Sequence, residues 1–349
     1  MLHLKTASNS SKFRPPEDLT KGYMAIAMWM LLVMAFCLTP ITDFLTVKAA
    51  SGSEDGARYS LVVRGLLLAA LLFTNLLYGK IKSKNCVTAL LVIIPVYVAA
   101  VMILSGQMTV KEYGEQVIFV SKVFTFFVYA VAISSVSEQK LAKLEKIMLA
   151  ALMVYATCII LGAVFSIEIF RSYQANTQIR SGYKGLVFAQ NEASALMVAG
   201  LGYAYFSPLR RGWRASTALP ILVLTFASLL VGTKAAAVGA IAVTCAYFFA
   251  RYSVIGATTR AGSTVAVVLG IAIIAFFTVP AVRNAVTLSQ SYYQYHYERA
   301  TDNAILTILL SGRNQKFAQV WSDIAQNNYF YVFTSGYPIT RYFVEIDVP

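Results

Sequence analysis

Residues 217–250 read TALPILVLTFASLLVGTKAAAVGAIAVTCAYFFA, and Lys234 is the only charge among them. A helix crosses a bilayer in about 17 to 25 apolar residues. This run is too long for one crossing and right for two. Gly232-Thr233-Lys234 lies at its centre and supplies a turn. The stretch is expected to form a tight hairpin of two spans, 217–232 and 235–250.

Working outward, further apolar runs of crossing length lie at 22–41, 61–79, 86–105, 116–136, 146–166, 188–206 and 264–281, which makes nine. The composition agrees. Of 349 residues, 58% are hydrophobic and 13% charged, and the mean hydropathy is +0.64. A soluble domain carries about a quarter of its residues charged. An ordinary soluble enzyme, a disordered chain and a coiled coil are thereby excluded. The expected fold is an all-α membrane protein, a polytopic helical bundle of about nine transmembrane helices. A cytoplasmic tail, 1–21, precedes the bundle, 22–281, and an extracytoplasmic segment, 282–349, follows it.

The formal net charge is +13. In a membrane protein such an excess orients loops and does not argue for nucleic acid. Fifteen cations fall in one alternating set of segments: Lys5, Lys12, Arg14, Lys21, Lys80, Lys82, Lys84, Lys140, Lys143, Lys146, Arg210, Arg211, Arg214, Arg251 and Arg260. The opposite short loops hold seven: Lys48, Arg58, Lys111, Arg171, Arg180, Lys184 and Lys234. The richer set faces the cytoplasm by the positive-inside rule, so the N-terminus is expected inside. The first 22 residues lack the apolar core of a cleavable leader, so the first span is expected to be retained. Cys37, Cys86, Cys158 and Cys245 sit in apolar runs without metal spacing, and two histidines are too few for a His-built metal site. No metal or other cofactor is expected.

Charges inside spans are costly and mark functional candidates. Arg64 lies about four residues into the second span and Lys122 about six into the fourth. Asn191 and Glu192 open the sixth span, and Lys234 separates the seventh from the eighth. All of these fall on the outer side of the expected topology, where Arg180 and Lys184 join them. Each also has a plain structural role open to it: snorkelling for the cations, helix pairing for Glu192, a turn for Lys234. Together, cations at one membrane face suit a polyanionic headgroup, above all a diphosphate. The outer segment adds Trp321, Tyr337 and many further tyrosines, with His296, Glu298, Arg299, Arg313, Glu345 and Asp347. Ser311 can cap a helix through about residue 326, with Phe317, Val320, Trp321 and Ile324 on one face. Aromatic faces beside carboxylates suit sugar rings; an interfacial aromatic belt is the other reading.

These pieces together resemble the O-antigen ligase and Wzy-type polysaccharide polymerase superfamily. Arg180-Ser-Gly-Tyr-Lys-Gly-Leu-Val-Phe-Ala-Gln-Asn191 is similar to that family's Arg, Gly, aromatic, then Asn opening a span. Leu230-Val-Gly-Thr-Lys-Ala-Ala is similar to its small-residue turn, with Lys234 where Arg is usual. Leu310-Ser-Gly-Arg313, then Trp321, Gly336 and Glu345-Ile-Asp347, resembles its outer-loop signature. The resemblance covers about residues 60–349. It implies a metal-independent glycosyltransferase of the bacterial cytoplasmic membrane that takes a glycan from undecaprenyl diphosphate and transfers it to an acceptor hydroxyl.

By that resemblance Arg180 and Arg313 bind the diphosphate, with Lys234 in support; Arg64 and Lys122 join them as candidates by their charge and their place in the spans. Asn191 and Glu192 orient the loop, and Trp321, Tyr337 and Asp347 contact sugar. His296 or Glu345 is the candidate base. The expected partners are the undecaprenyl-diphosphate-linked oligosaccharide, the lipid bilayer, and a chain-length regulator and flippase of the same pathway. The leading expectation is a polymerase of surface polysaccharide. A ligase joining glycan to a lipid or protein acceptor is the close alternative, and a transporter or flippase the second. Members of the superfamily continue with further spans after the Glu-x-Asp element. The chain, stopping at Val348-Pro349, is accordingly expected to be incomplete and inactive alone.

Overall fold

The structure is a computed structural model. It describes residues 16–50, 59–78, 125–172 and 182–278 as continuous segments, with isolated helical residues between 84 and 100 and between 280 and 322. Among the described residues there is no strand; one isolated antiparallel bridge joins Arg171 to Tyr183. The helices are α1 (Pro16–Ala50), α2 (Tyr59–Tyr78), α3 (Thr125–Ser134), α4 (Glu138–Phe165), α5 (Gln190–Arg211), α6 (Ala215–Leu230), α7 (Lys234–Arg251) and α8 (Val254–Thr278). A single 3₁₀ turn, Glu168–Phe170, follows α4.

Five stretches are long and apolar enough to cross a membrane: Ala25–Ala49, Tyr59–Leu77, Glu138–Phe165, Lys234–Arg251 and Val254–Thr278. Their outer faces carry large apolar side chains bare of protein, such as Leu66, Phe73, Val267, Ile274 and Phe277. Water does not tolerate such continuous apolar surface; lipid does. The chain therefore has the character of a multi-pass membrane protein. α6 is apolar but short, and α5 carries Asn191 and Glu192 in its first turn. Of the expected spans, 86–105 lies mostly outside the described residues, while the second half of 116–136 is described as the short apolar helix α3.

Helices outrun the apolar runs that announce them. α1 passes through Pro40 and continues to Ala50, nine residues beyond the expected end of the first span. Proline removes a backbone donor and crowds the preceding turn. The hydroxyls of Thr39, Thr42 and Thr46 donate to carbonyls one turn back, supplying donors locally. α4 begins at Glu138 because its first two turns, EQKLAKLE, bury Leu144 on one face while charges face away. α8 begins at Val254, which places Arg260 on a helix rather than in the expected loop.

The directions of the helices follow from paired contacts. Trp29 Nε1 donates to the Lys140 carbonyl at 3.2 Å, and Tyr155 Oη donates to Asp43 at 2.5 Å. The separations are 111 and 112 residues, so α1 and α4 run parallel and in step. The Ser60 N–H donates to Thr46 Oγ1 at 2.9 Å and holds α2 antiparallel to α1. Ser194 meets Thr233 and Tyr205 meets Thr244, each 39 residues apart, so α5 and α7 are also parallel. These relations are what strict up-down alternation requires.

Two apolar clusters fill the bundle. Met28, Leu32, Leu71, Val128, Ala132 and Leu144 join α1 to α4. A larger one, centred on Ile159, Met197, Leu201 and Leu224, joins α4 to α8. Small residues set the closest approach: a Cβ on Gly239 would stand 2.7 Å from Val198 Cγ2, so α5 and α7 touch nearly backbone to side chain.

Candidate functional site

One end of the bundle gathers the C-termini of α1 and α4, the start of α2, the N-termini of α5 and α7, and the chain between α4 and α5. α4 stops at Ser166, the only non-glycine residue with positive φ among the described residues (φ 54°). The Ile167 N–H then donates back to the Gly162 carbonyl at 3.0 Å. This reversal closes the helix and satisfies an end carbonyl.

The returning chain, 182–190, is fastened on both sides. On one side Ser172 N donates to the Gly182 carbonyl at 3.0 Å, and Lys184 N donates to the Phe170 carbonyl at 2.8 Å. On the other, Tyr183 N donates to the Leu230 carbonyl at 3.1 Å, and Gln190 Nε2 donates to the Val231 carbonyl at 2.6 Å. Ser194 donates to the Gln190 carbonyl at 2.9 Å and lies 2.6 Å from Thr233 Oγ1. With Ser194's proton so used, Thr233 donates to Ser194 while accepting from Ala236 N at 3.1 Å as the cap of α7. A Cβ on Gly182, at φ +154°, would stand 2.2 Å from the Val231 carbonyl oxygen, so glycine is obligatory there. Gly185 takes φ +60° and lies against Ile159.

This clamp fixes the neighbourhood of two lysines. Lys234 is the first residue of α7. Lys184 is half-buried; its Nζ donates to the Phe188 carbonyl at 3.1 Å and lies 5.6 Å from the centre of the Phe188 ring. Burial lowers the Lys184 pKa below the ordinary lysine value, because the charged form loses solvation. The parallel helices α5 and α7 aim their positive dipole ends the same way. α5 is capped by Ala189, which offers no side-chain oxygen to its first N–H groups. Two lysines and two helix N-termini, one without a side-chain cap, make an environment that favours an anion. Asn191 and Glu192, in the first turn of α5, are exposed at the same end.

Arg64 lies elsewhere at this end and is already engaged. Its Nη2 contacts both oxygens of Asp43, at 2.9 and 2.7 Å. Asp43 is buried, with 4% of its side chain exposed, while the Arg64 side chain is 45% exposed. Tyr155 donates a third bond to Asp43. The result ties α1, α2 and α4 together, and the Arg64 charge is balanced by Asp43. Sequence reasoning missed Asp43 because it ended the first span at residue 41. The available signal was the Thr39, Thr42, Asp43, Thr46 series, at helical spacing with the lone carboxylate of that region.

Trp321 is helical and stacks on Phe317, with ring centres 6.0 Å apart, as the expected helix face requires; both rings are exposed. Arg180, Lys122, His296, Arg313, Tyr337, Glu345 and Asp347 lie outside the described residues. Among the described residues no group of His, Cys, Asp and Glu is placed to hold a metal ion. No protein-family model, no curated protein and no solved structure matches the chain.

Proposed function

We propose that the chain is a polymerase of bacterial surface polysaccharide, working at the outer face of the cytoplasmic membrane. On this reading nine spans cross the membrane with the N-terminus inside. The end that carries Lys184 and Lys234 then faces outward. The substrate is an undecaprenyl-diphosphate-linked repeat unit, and the acceptor is a hydroxyl of another such unit. One observation carries the reading: the segment 182–190 is hydrogen-bonded to the turn 230–233, which sets Lys184, Lys234 and the side-chain-uncapped start of α5 at one end. These are two of the three stretches whose sequences resemble the polymerase and ligase superfamily.

The chemistry follows from charge. A diphosphate leaving group gains negative charge as the glycosidic bond breaks, and fixed cations stabilise it most at that moment. Lys184, Lys234 and Arg180 supply that charge, with Arg313 from the outer segment. Arg64 has its charge balanced by Asp43, so its part is to brace α1, α2 and α4. A base near the acceptor hydroxyl, His296 or Glu345, completes the reaction.

The test is transfer in vitro from a purified lipid-linked repeat unit, alongside a gene deletion. Loss of a polymerase leaves single repeat units; loss of a ligase leaves finished polymer on the carrier lipid. Replacing Arg180 or Arg313 by Ala abolishes polymer while the protein still reaches the membrane. A normal sugar ladder from either variant overturns the assignment.

A further inference from the structure

The opposite end of the α5–α7 pair carries a second cationic cluster with a different construction. Between Glu192 and Glu298 the chain contains no carboxylate at all, yet it holds Arg210, Arg211, Arg214, Lys234, Arg251, Arg260 and Arg283. Two turns bring four of these arginines to one edge. Arg251, at the last turn of α7, donates from Nη1 to the Pro208 carbonyl at the end of α5. That bond joins the end of α5 and the start of α6, with Arg210 and Arg214, to the end of α7, with Arg251; Arg260 follows in the second turn of α8.

Aromatic rings hold the guanidinium groups in place of carboxylates. Arg260 lies 3.7 Å from the centre of the Tyr252 ring, Arg251 lies 5.8 Å from the same ring, and Arg210 lies 5.4 Å from the Phe206 ring. Tyr205, Trp213 and Tyr247 pack beside them, with Tyr205 and Tyr247 stacked at 4.7 Å. A ring under a guanidinium neutralises little of its charge but fixes its plane, and the N–H groups that the protein does not already bond remain for an oxyanion; on Arg251 the Nη1 group is used by the Pro208 carbonyl. Two cations on one tyrosine, with no carboxylate nearby in sequence, repel each other unless an anion joins them.

We propose that the end of α7 and the start of α8, beside the α5–α6 turn, bind the phosphate headgroup of an anionic membrane phospholipid, with Arg251 and Arg260 as its ligands and Tyr252 as their platform. The apolar surface beside the arginines points to a lipid rather than a free phosphate. Val254 and Ile255, next along α8, are 70% and 83% exposed, and Trp213 is 44% exposed. A partner with a phosphate at one end and hydrocarbon at the other covers both features at once, as basic pockets between membrane helices do. This site is separate from the Lys184–Lys234 end and does not depend on the polymerase reading.

The experiment uses the full chain in nanodiscs of phosphatidylcholine, with phosphatidylglycerol added at increasing fractions. Lipid retention by native mass spectrometry and the thermal midpoint are read together. Phosphatidylglycerol is expected to be retained over phosphatidylcholine and to raise the midpoint. Arg260→Gln and Arg251→Gln each weaken retention about fivefold, as expected for one surface cation. Tyr252→Leu, which keeps every cation, weakens it too, whereas Tyr252→Phe and Lys143→Gln do not. Lys143 belongs to the basic edge at the start of α4 and samples its general charge. Should Arg260→Gln fail to fold, Tyr252→Leu against Tyr252→Phe carries the same test. Equal retention of the two lipids, an equal loss in Lys143→Gln, or the same midpoint rise from inorganic phosphate overturns the proposal.

Discussion

The two ends of the α5–α7 pair are fastened by different kinds of bond. At the lysine end the backbone does most of the fastening: main-chain N–H groups of 172, 183 and 184 donate to carbonyls, Gly182 lets the two chain segments close, and Gln190 and Ser194 add side-chain bonds. At the arginine end side chains fasten it, through guanidinium groups on rings and one bond to the Pro208 carbonyl. Backbone bonds in a confined space fix a geometry and tolerate no added atom. Ring contacts fix the plane of a guanidinium but leave most of its charge available. The first construction suits a site that must not change shape; the second suits a surface that adapts to lipid.

The largest expected effect breaks the lysine end. Gly182→Ala places a methyl against the Val231 carbonyl in a backbone conformation hostile to alanine. A loss of about 3 kcal/mol is expected, read as thermal or denaturant unfolding in mild detergent. A stability equal to the parent would show that the clamp is not tight.

Next comes the brace. Asp43→Asn leaves the Arg64 guanidinium without its counter-charge and is expected to cost about 2 kcal/mol. The figure sits below the range for fully buried pairs because Arg64 is half in the open. Combining it with Arg64→Gln should recover part of the loss, and a strictly additive double variant would refute coupling. Tyr155→Phe removes one hydrogen bond to the same carboxylate and should cost about 1 kcal/mol.

The smallest effect has the opposite sign. Ser166→Gly relieves a left-handed residue at the end of α4 and should stabilise by about 0.5 kcal/mol. The clamp beyond it stays intact, so the geometry of the Lys184–Lys234 end should not move.

Hydropathy located the hairpin well: α6 ends at Leu230 and α7 starts at Lys234, around the Gly232 turn. It underestimated α1, α4 and α8, because a helix continues through polar residues as long as its backbone bonds are met. At the site, Lys234 and the glycines of 182–185 were legible as motif residues. The Gln190 and Ser194 contacts were not, because they join positions about forty residues apart whose partners are a carbonyl and a hydroxyl. Asp43 was hidden by a boundary drawn where apolar character, not helix, ended. The arginine end was legible as charge but not as structure, since only folding brings the turns at 208–214 and 251–260 together.

The parallel register of α5 and α7 has a consequence for how the protein is made. Ser194 and Tyr205 find their partners at Thr233 and Thr244, and α6 must run back along the bundle before those residues exist. During synthesis the contacts of Ser194 and Tyr205 with α7 therefore form only after α7 has followed, while Ser194 already donates to the Gln190 carbonyl within α5. The three helices complete one another as a group, and the last to arrive settles the first.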